Sequence, residues 1–162
     1  MASVAMQFCE GLELSPRAEA AAGNSLKCVL LIEDNEDAML LVSFALQEYG
    51  KGHYRLEWAG SLADGLSRIL KGGVDVVLLD LGLPDSSGPV SYTWIREAAP
   101  DVPVVVLTGD AREETEMTVF SSGVHDYLVK DKVSGPLLVS VINEALCKDE
   151  RRQQSKRPLS GR

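Results

Sequence analysis

The feature that most constrains this 162-residue chain is a set of short apolar runs that each end in a polar residue. The clearest run is VDVVLLD, in which valines and leucines surround Asp75 and lead directly into Asp80. Runs of this length and character are typical of strands that are buried on both faces. Open α/β sheets carry their chemistry at the carboxyl ends of such strands. Asp80 is therefore predicted to lie at the functional edge of a sheet.

Other apolar runs also end in polar residues, namely Glu33 and Asp34 after residues 28–32, Thr108 after 104–107, and Lys130 after 127–129. Parallel strands bring their carboxyl ends to one edge of the sheet. We therefore expect an acidic pair, a lone aspartate, a hydroxyl and an amine to meet there. This set suits a magnesium ion beside an aspartate that accepts a phosphoryl group.

Segments with helical periodicity separate the apolar runs. Helical spacing relates Ala38, Leu41, Val42, Ala45 and Tyr49, and Gly50 then offers a helix stop. Four more helices are predicted from capping or breaking residues: one from Ser61, capped together with Asp64, to Gly72, one after Pro89, one from Asp110 to near Gly123, and one from Ser134 that buries Leu137, Leu138, Val141, Ile142 and Ala145.

The alternation of strands and helices predicts the fold. It favours right-handed crossovers and a parallel sheet covered on both faces. We expect an α/β fold with five strands in the order 2-1-3-4-5, flanked by five helices, as in flavodoxin-like folds. The predicted domain spans residues 27–147. Residues 1–26 are predicted to be a flexible N-terminal tail, and residues 148–162 a solvated helix end followed by a basic C-terminal tail.

Four motifs in a fixed order indicate a family. LLIEDNEDA, VVLLDLGLPDSSG, VVVLTGD and DYLVK follow one another between about Lys27 and Cys147. Each motif is common by itself, but the ordered set resembles the receiver domain of two-component response regulators. The resemblance implies a stand-alone receiver that accepts a phosphoryl group on Asp80. The donor would be a sensor histidine kinase or a histidine phosphotransfer protein.

The acidic residues predict a magnesium site. A carboxylate is a weak nucleophile towards phosphorus unless the negative charge of both reactants is offset, and Mg²⁺ does this while bridging them. Asp34 and Asp80 can supply direct oxygen ligands. The resemblance adds the backbone carbonyl of Gly82 and assigns Glu33 to a contact through water. The alternative for Glu33 and Asp34 is favourable charge at a helix start, which accounts for one acid better than for two.

Three more residues take their roles from the resemblance. Lys130 would lie beside the phosphoryl oxygens as a compact positive charge, and Thr108 would donate its hydroxyl to one of them. Tyr127 would turn inward as Thr108 moves, so these two residues would form the conformational switch. In the resting state we expect Tyr127 to point outward with its hydroxyl in water. Trp58 and Trp94 are interpreted as packing residues.

The charge and the apolar runs of the sequence limit which partners and which location are expected. The formal net charge is −8, and residues 1–26 carry −2 and residues 148–162 carry +4, which leaves −10 on the predicted domain. Such a domain is expected to repel the phosphate backbone of nucleic acids. No apolar run approaches the roughly 18 residues of a membrane span, and the amino terminus lacks the basic start of a signal peptide. The prediction is a cytoplasmic protein without membrane contact.

The predicted output is a change of docking surface. Phosphorylation would alter the face formed by the helix at residues 110–123, the fifth strand and the last helix, with Arg112, Glu113 and Glu116 exposed on it. This face would bind a downstream protein that the sequence does not identify, or a second copy in a phosphorylation-dependent dimer. No enzyme activity is predicted beyond the chain's own phosphotransfer and dephosphorylation.

Three alternatives stay open. An aspartate phosphatase of the haloacid dehalogenase type would share the Asp, Thr, Lys and acidic groups, but such enzymes usually carry a second Asp where Gly82 stands. A receiver-shaped interaction module would keep the fold without being phosphorylated. A receiver fragment of a larger hybrid protein would have the same sequence and the same site.

Overall fold

The computed structural model describes residues 25–86, 88–109 and 126–156. Five strands form one parallel sheet in the order β2-β1-β3-β4-β5, which confirms the predicted α/β fold and strand order. The strands are β1 (Lys27–Ile32), β2 (Tyr54–Ala59), β3 (Val76–Asp80), β4 (Val104–Thr108) and β5 (Asp126–Val129).

Four α-helices are present within the described residues: α1 (Glu36–Tyr49), α2 (Leu62–Ile69), α3 (Pro89–Ala98) and α4 (Gly135–Lys156). The helix predicted between Asp110 and Gly123 lies outside the described residues. The same is true of the three residues predicted for the output face, Arg112, Glu113 and Glu116.

The last helix extends further than the predicted domain. α4 continues past Cys147 to Lys156, into the segment predicted as a solvated helix end followed by a basic tail. A short 3-10 turn, Lys130–Lys132, follows β5 and leads to the segment before this helix. In the described part of the chain, no helix has both the length and the apolar character that crossing a bilayer requires.

Local capping chemistry explains where the first two helices start. The side chain of Asn35 accepts hydrogen bonds from two backbone amides of the first turn of α1, at 2.8 and 3.2 Å. Ser61 Oγ accepts from the amide of Asp64 at 3.2 Å, which confirms the predicted cap of α2. α2 ends at Ile69, earlier than the predicted stop at Gly72, where φ is positive. The caps thus set the points at which the chain leaves the strand edge and enters a helix.

Each face of the sheet carries its own apolar layer. Leu31 and Leu78 belong to the layer covered by α1 and α4, called here the α1–α4 layer. Leu30 and Leu79 belong to the layer covered by α2 and α3, called here the α2–α3 layer. Neighbouring residues of one strand enter opposite layers because side chains alternate along a strand. This double burial explains the unbroken apolar runs in the sequence.

Some apolar residues predicted to face the core are exposed. Leu137 is 43% exposed, so its expected burial is wrong, and Leu41, which belongs to the helical spacing noted in α1, is 71% exposed. Trp94, interpreted as a packing residue, is 54% exposed. The apolar stripe of a helix is only about 100° wide, so a small error in its phase moves a leucine to the surface. α1 buries Met39, Val42, Ala45 and Leu46, of which Val42 and Ala45 belong to the predicted helical spacing.

Candidate functional site

Strand alternation brings three charged side chains to the same side of the sheet. Glu33, Asp80 and Lys130 each stand at or just beyond the carboxyl end of a strand. Side chains two residues apart in a strand point to the same face. Each of the three follows by two residues a leucine of the α1–α4 layer, namely Leu31, Leu78 and Leu128.

Lys130 lies between two buried carboxylates. Its Nζ is 2.6 Å from Glu33 Oε2 and 2.9 Å from Asp80 Oδ1. Glu33 is 1% exposed and Asp80 is 4% exposed, so both carboxylates are almost fully removed from water. A buried charge is tolerated only when it is paired or coordinated. Lys130 provides that pairing for both acids at once.

Glu33, Asp34 and Asp80 form a carboxylate cluster, whose ligand oxygens all lie within 4.8 Å of one another. Asp34 is exposed while the other two are buried, so the cluster opens to solvent on one side. Mg²⁺ prefers oxygen ligands and retains several waters, which an open site allows. An added Cβ at Gly82 would lie 3.4 Å from Asp80 Oδ2, so glycine keeps the space beside that oxygen clear. The residues present therefore fit a magnesium ion.

The electrostatics of the site are dominated by burial and by the lysine. Burial raises the pKa of the Glu33 carboxyl, the hydrogen bond with Lys130 acts against this, and the charge of Asp80 adds to it, with a net increase. Burial alone would lower the pKa of Lys130, but its hydrogen bonds to Glu33 and Asp80 outweigh burial and raise this pKa. Lys130 therefore keeps its positive charge at neutral pH.

Thr108 and Tyr127 belong to the other face of the sheet. Tyr127 pairs with Val106 of the α2–α3 layer, and Thr108 follows Val106 by two residues. Thr108 is fully buried, and the β3–β4 register places Leu107, the residue before it, opposite Asp80. The hydroxyl of Tyr127 is shielded from solvent. The expectation of an outward ring with its hydroxyl in water is therefore wrong for this structure.

Two residues that the sequence analysis did not assign to the site contact the loops that carry it. Trp58 Nε1 donates a hydrogen bond to the backbone carbonyl of Glu33 at 2.6 Å. The carboxylate of Asp85 accepts from the backbone amides of Leu62 and Ala63, both at 3.0 Å. No pattern in the sequence analysis pointed to Trp58, which the structure places one residue before the last residue of β2. For Asp85 the signal is its place five residues after Asp80.

Solved receiver structures share this architecture. The response regulator receiver domain protein from Clostridium thermocellum matches with a TM-score of 0.68 at 26% identity, covering 78% of this chain and 99% of that chain. The CheY-like receiver domain protein from Methanospirillum hungatei JF-1 matches with a TM-score of 0.67 at 26% identity, covering 79% and 99%. The described part of this chain therefore has the receiver fold.

Several curated proteins are similar over the same part of the chain. Swarming motility regulation protein RssB from Serratia marcescens is 33% identical over 102 residues, which are 63% of this chain and 45% of RssB. Cell cycle transcriptional regulator CtrA from Caulobacter vibrioides is 32% identical over 102 residues, 63% of this chain and 43% of CtrA. The sensor kinase/phosphatase LuxQ from Vibrio vulnificus is 30% identical over 117 residues, 72% of this chain but 13% of LuxQ. The chain spans less than half the length of these three relatives.

The family model for the response regulator receiver domain matches residues 29–142. This range is most of the chain and includes Glu33, Asp80 and Lys130, the three residues that meet at the strand edge. The chain belongs to the response regulator receiver domain family.

Proposed function

We propose that this chain is a phosphoacceptor of two-component signalling and that Asp80 takes up the phosphoryl group. The observation that carries the proposal is the 2.9 Å contact between Lys130 Nζ and Asp80 Oδ1 within the carboxylate cluster. Such a contact would keep a cation that can bind the phosphoryl oxygens beside the carboxylate of Asp80, which supports the proposal. The donor would be a sensor histidine kinase or a histidine phosphotransfer protein.

Asp80 is a better acceptor than its buried neighbour Glu33. Both oxygens of Glu33 are engaged, since Oε2 pairs with Lys130 and Oε1 accepts from the amide of Asn35 at 3.2 Å. Oδ2 of Asp80 instead lies beside Gly82, where no side chain fills the space. An entering phosphorus atom would therefore meet Asp80 on the Gly82 side. This arrangement supports Asp80 as the nucleophile.

The transfer requires positive charge around the phosphoryl oxygens. A bond forms between phosphorus and a carboxylate oxygen of Asp80, the bond from phosphorus to the phosphohistidine nitrogen breaks, and its electron pair stays on the imidazole. Lys130 would provide a fixed positive charge beside the equatorial phosphoryl oxygens, which carry the negative charge of the transition state. Thr108 would donate its hydroxyl to one of those oxygens. Phosphotransfer and dephosphorylation of Asp80 are the only reactions that we assign to the chain.

Mg²⁺ belongs to the same proposal. Asp34, Asp80 and the backbone carbonyl of Gly82 would hold the ion, while Glu33 would act through a bound water. The engaged oxygens of Glu33 support this indirect role, because they already pair with Lys130 and with a backbone amide. A magnesium ion bound there would offset the repulsion between the two negatively charged reactants.

A groove beside the acceptor suits a helix of the phosphodonor. It has a volume of about 230 Å³, lies between α1 and the start of α4, and has Glu33 and Lys130 among its lining residues. The exposed side chains of Leu41 and Phe44 line it. Contiguous exposed apolar side chains of this kind mark interaction sites, and the apolar face of a helix fits such a groove. A donor helix seated there would present its phosphohistidine towards Asp80.

The output would be a change of surface on the side of β5. Thr108 and Tyr127 both lie on the side of the sheet that carries the α2–α3 layer. A shift of Thr108 towards the phosphoryl group would therefore alter the packing of Tyr127. The altered surface would then bind a downstream protein or a second copy of the chain. We also propose that the protein acts in the cytoplasm, where it would meet the phosphohistidine of a kinase.

Acetyl phosphate with Mg²⁺, followed by intact-mass measurement, tests the proposal. The wild type should gain one phosphoryl group, and Asp80→Asn should gain none. Asp37→Asn removes an exposed carboxylate from the start of α1 and should be labelled like the wild type. Undiminished labelling of Asp80→Asn would overturn the assignment of the acceptor.

A further inference from the structure

We infer that the connection from β2 to α2, residues 58–63, positions both loops of the proposed metal site although it supplies no ligand. Trp58 holds the loop that carries Glu33 and Asp34. Asp85 ties the loop that carries Gly82 to the start of α2. The inference rests on the proposed function for the metal site, and it adds Trp58 and Asp85 as positioning residues.

The first loop is held at two backbone atoms of Glu33. The β1–β2 ladder ends with the pair Ile32 and Ala59, and the amide of Glu33 then donates to the carbonyl of Ala59 at 3.0 Å. The carbonyl of Glu33 accepts from Trp58 Nε1 at 2.6 Å, in a partly buried setting. Both polar backbone groups of Glu33 are therefore bonded to the end of β2. This fixes the peptide that leads into Asp34.

The second loop is held through a side chain. Asp85 lies in the turn after Asp80, and its two oxygens accept separately from the amides of Leu62 and Ala63, each at 3.0 Å. These hydrogen bonds lower the pKa of Asp85, so the carboxylate is ionised at neutral pH. Ser61 satisfies the next amide of the turn. Asp85 thus completes the cap of α2 from a different part of the chain.

Both contacts converge on one short stretch of chain. Trp58 and Leu62 are four residues apart, so the loop before α1 and the loop after β3 are anchored to the same connection. Bound metal ions tolerate only small errors in ligand position. The distance between the Asp34 carboxylate and the Gly82 carbonyl therefore depends on this connection. Loss of the Trp58 or the Asp85 hydrogen bonds should therefore weaken Mg²⁺ binding, even though all the proposed ligands are still present.

Trp58→Phe tests the first anchor because it removes the N–H donor and keeps an aromatic ring. We expect the Kd for Mg²⁺, measured by calorimetric titration, to rise about tenfold, as is common when a group that orients a ligand is lost. The matched control is Trp94→Phe on α3, where the indole is exposed, and its Kd should equal that of the wild type. Equal Kd values for the two variants would overturn the role of Trp58.

Asp85→Asn and Asp85→Ala test the second anchor as a graded pair. Asparagine keeps one acceptor oxygen, so the Kd for Mg²⁺ should rise from wild type to Asp85→Asn to Asp85→Ala. Asp64→Ala disturbs the same helix start through Ser61 without touching the loop after Asp80, and it should leave the Kd unchanged. If Asp64→Ala raises the Kd as much as Asp85→Ala, the effect is only helix stability and the inference fails. The comparison of Asp85→Ala with Asp64→Ala still tests the inference if Trp58→Phe does not fold.

The titration separates this inference from the proposed function because it needs no phosphodonor. Loss of Mg²⁺ affinity in these variants, with no labelling of wild-type Asp80, would reject the phosphoacceptor role and keep the positioning role. Normal labelling of Asp80 with unchanged Mg²⁺ affinity in all variants would reject the positioning role alone. A wild type that binds no Mg²⁺ would reject it as well.

Discussion

Lys130 contacts Asp80 across an intervening strand. Its Nζ lies 2.9 Å from Asp80 Oδ1, although Asp80 ends β3, Lys130 follows β5, and β4 lies between these strands in the sheet. The same amine reaches Glu33 beyond β1 at 2.6 Å. One side chain therefore links the ends of three strands and offsets two buried negative charges.

Replacing Lys130 with methionine should destabilise the metal-free protein. Glu33 and Asp80 would then be buried without their cation, and we expect the free energy of unfolding to fall by about 2 kcal/mol at pH 7. The loss is smaller than for a fully buried pair because the Lys130 side chain is 30% exposed. Saturating Mg²⁺ should restore part of the stability because it binds only the folded state. Urea unfolding with and without Mg²⁺ measures both effects.

Lys132→Met is the control for this experiment. Lys132 is an exposed lysine two residues further on, so its replacement should change the unfolding free energy little. A similar loss in both variants, with no recovery in Mg²⁺, would contradict the assigned role of Lys130.

Replacing Asp34 with alanine should weaken magnesium binding. Asp34 is the exposed member of the carboxylate cluster and, in the proposed metal site, would be the ligand that an ion meets first from solvent. We expect the Kd for Mg²⁺ in a calorimetric titration to rise at least tenfold, which corresponds to about 1.4 kcal/mol. Asp37→Ala, a change to an exposed acid in the first turn of α1, should have no such effect. Wild-type affinity in Asp34→Ala would show that the ion site lies elsewhere.

The Glu57–Arg68 pair should make stability depend on pH. Arg68 donates to Glu57 through Nε and through Nη2, the latter at 3.1 Å, and this hydrogen bonding lowers the pKa of Glu57. A carboxyl with a lowered folded-state pKa contributes its full stability above the unfolded pKa, about 4.3 for Glu, and loses it as pH falls through the folded pKa. Glu57→Gln should therefore lower the unfolding free energy by about 1–2 kcal/mol at pH 7.

Urea unfolding at a series of pH values checks this prediction. The difference between wild type and Glu57→Gln should be constant from pH 7 down to about 5 and should shrink steadily below about 4. Glu48→Gln, a change at an exposed glutamate of α1, should show little difference at any pH. A gap between wild type and Glu57→Gln that stays constant into strong acid would rule out the ionised pair as its source.

A phosphate mimic should perturb the sheet edge as well as the acidic loops. Beryllofluoride with Mg²⁺ is expected to shift amide NMR signals around Asp80, in residues 111–125, and in β5 around Tyr127. A ligand can move the equilibrium only by its different affinity for the two states, so these shifts should appear without a partner. Thr108→Ala should still bind the mimic but should lose the shifts at Tyr127. Shifts confined to the loops around Asp80 would reject the switch while leaving phosphorylation intact.

The apolar runs of the sequence located β1, β3, β4 and β5, and the polar residues that follow them indicated most of the proposed site. Buried parallel strands must be apolar throughout, so the run before Asp80 marks its strand and the polar residue marks the end. The strand order was expected from the likeness to flavodoxin-like folds, and the start of α2 follows from the hydroxyl of Ser61. The convergence of Glu33, Asp80 and Lys130 also follows from local rules, because alternation and a shared sheet edge bring them together. These rules are read from residues within each strand, although Glu33, Asp80 and Lys130 themselves lie far apart in the chain.

Only the tertiary structure decided which contacts form between distant segments. Trp58 and Glu33 are 25 residues apart, and Asp85 and Leu62 are 23 residues apart, so no local pattern indicates either hydrogen bond. The first hydrogen bond depends on the register of β1 against β2. The second depends on how the turn after Asp80 reaches the start of α2. The exposure of Leu41 likewise depends on the rotation of α1 against the sheet, which is set by packing with α4. Long-range packing thus determined how the polar residues predicted from the sequence are held in place.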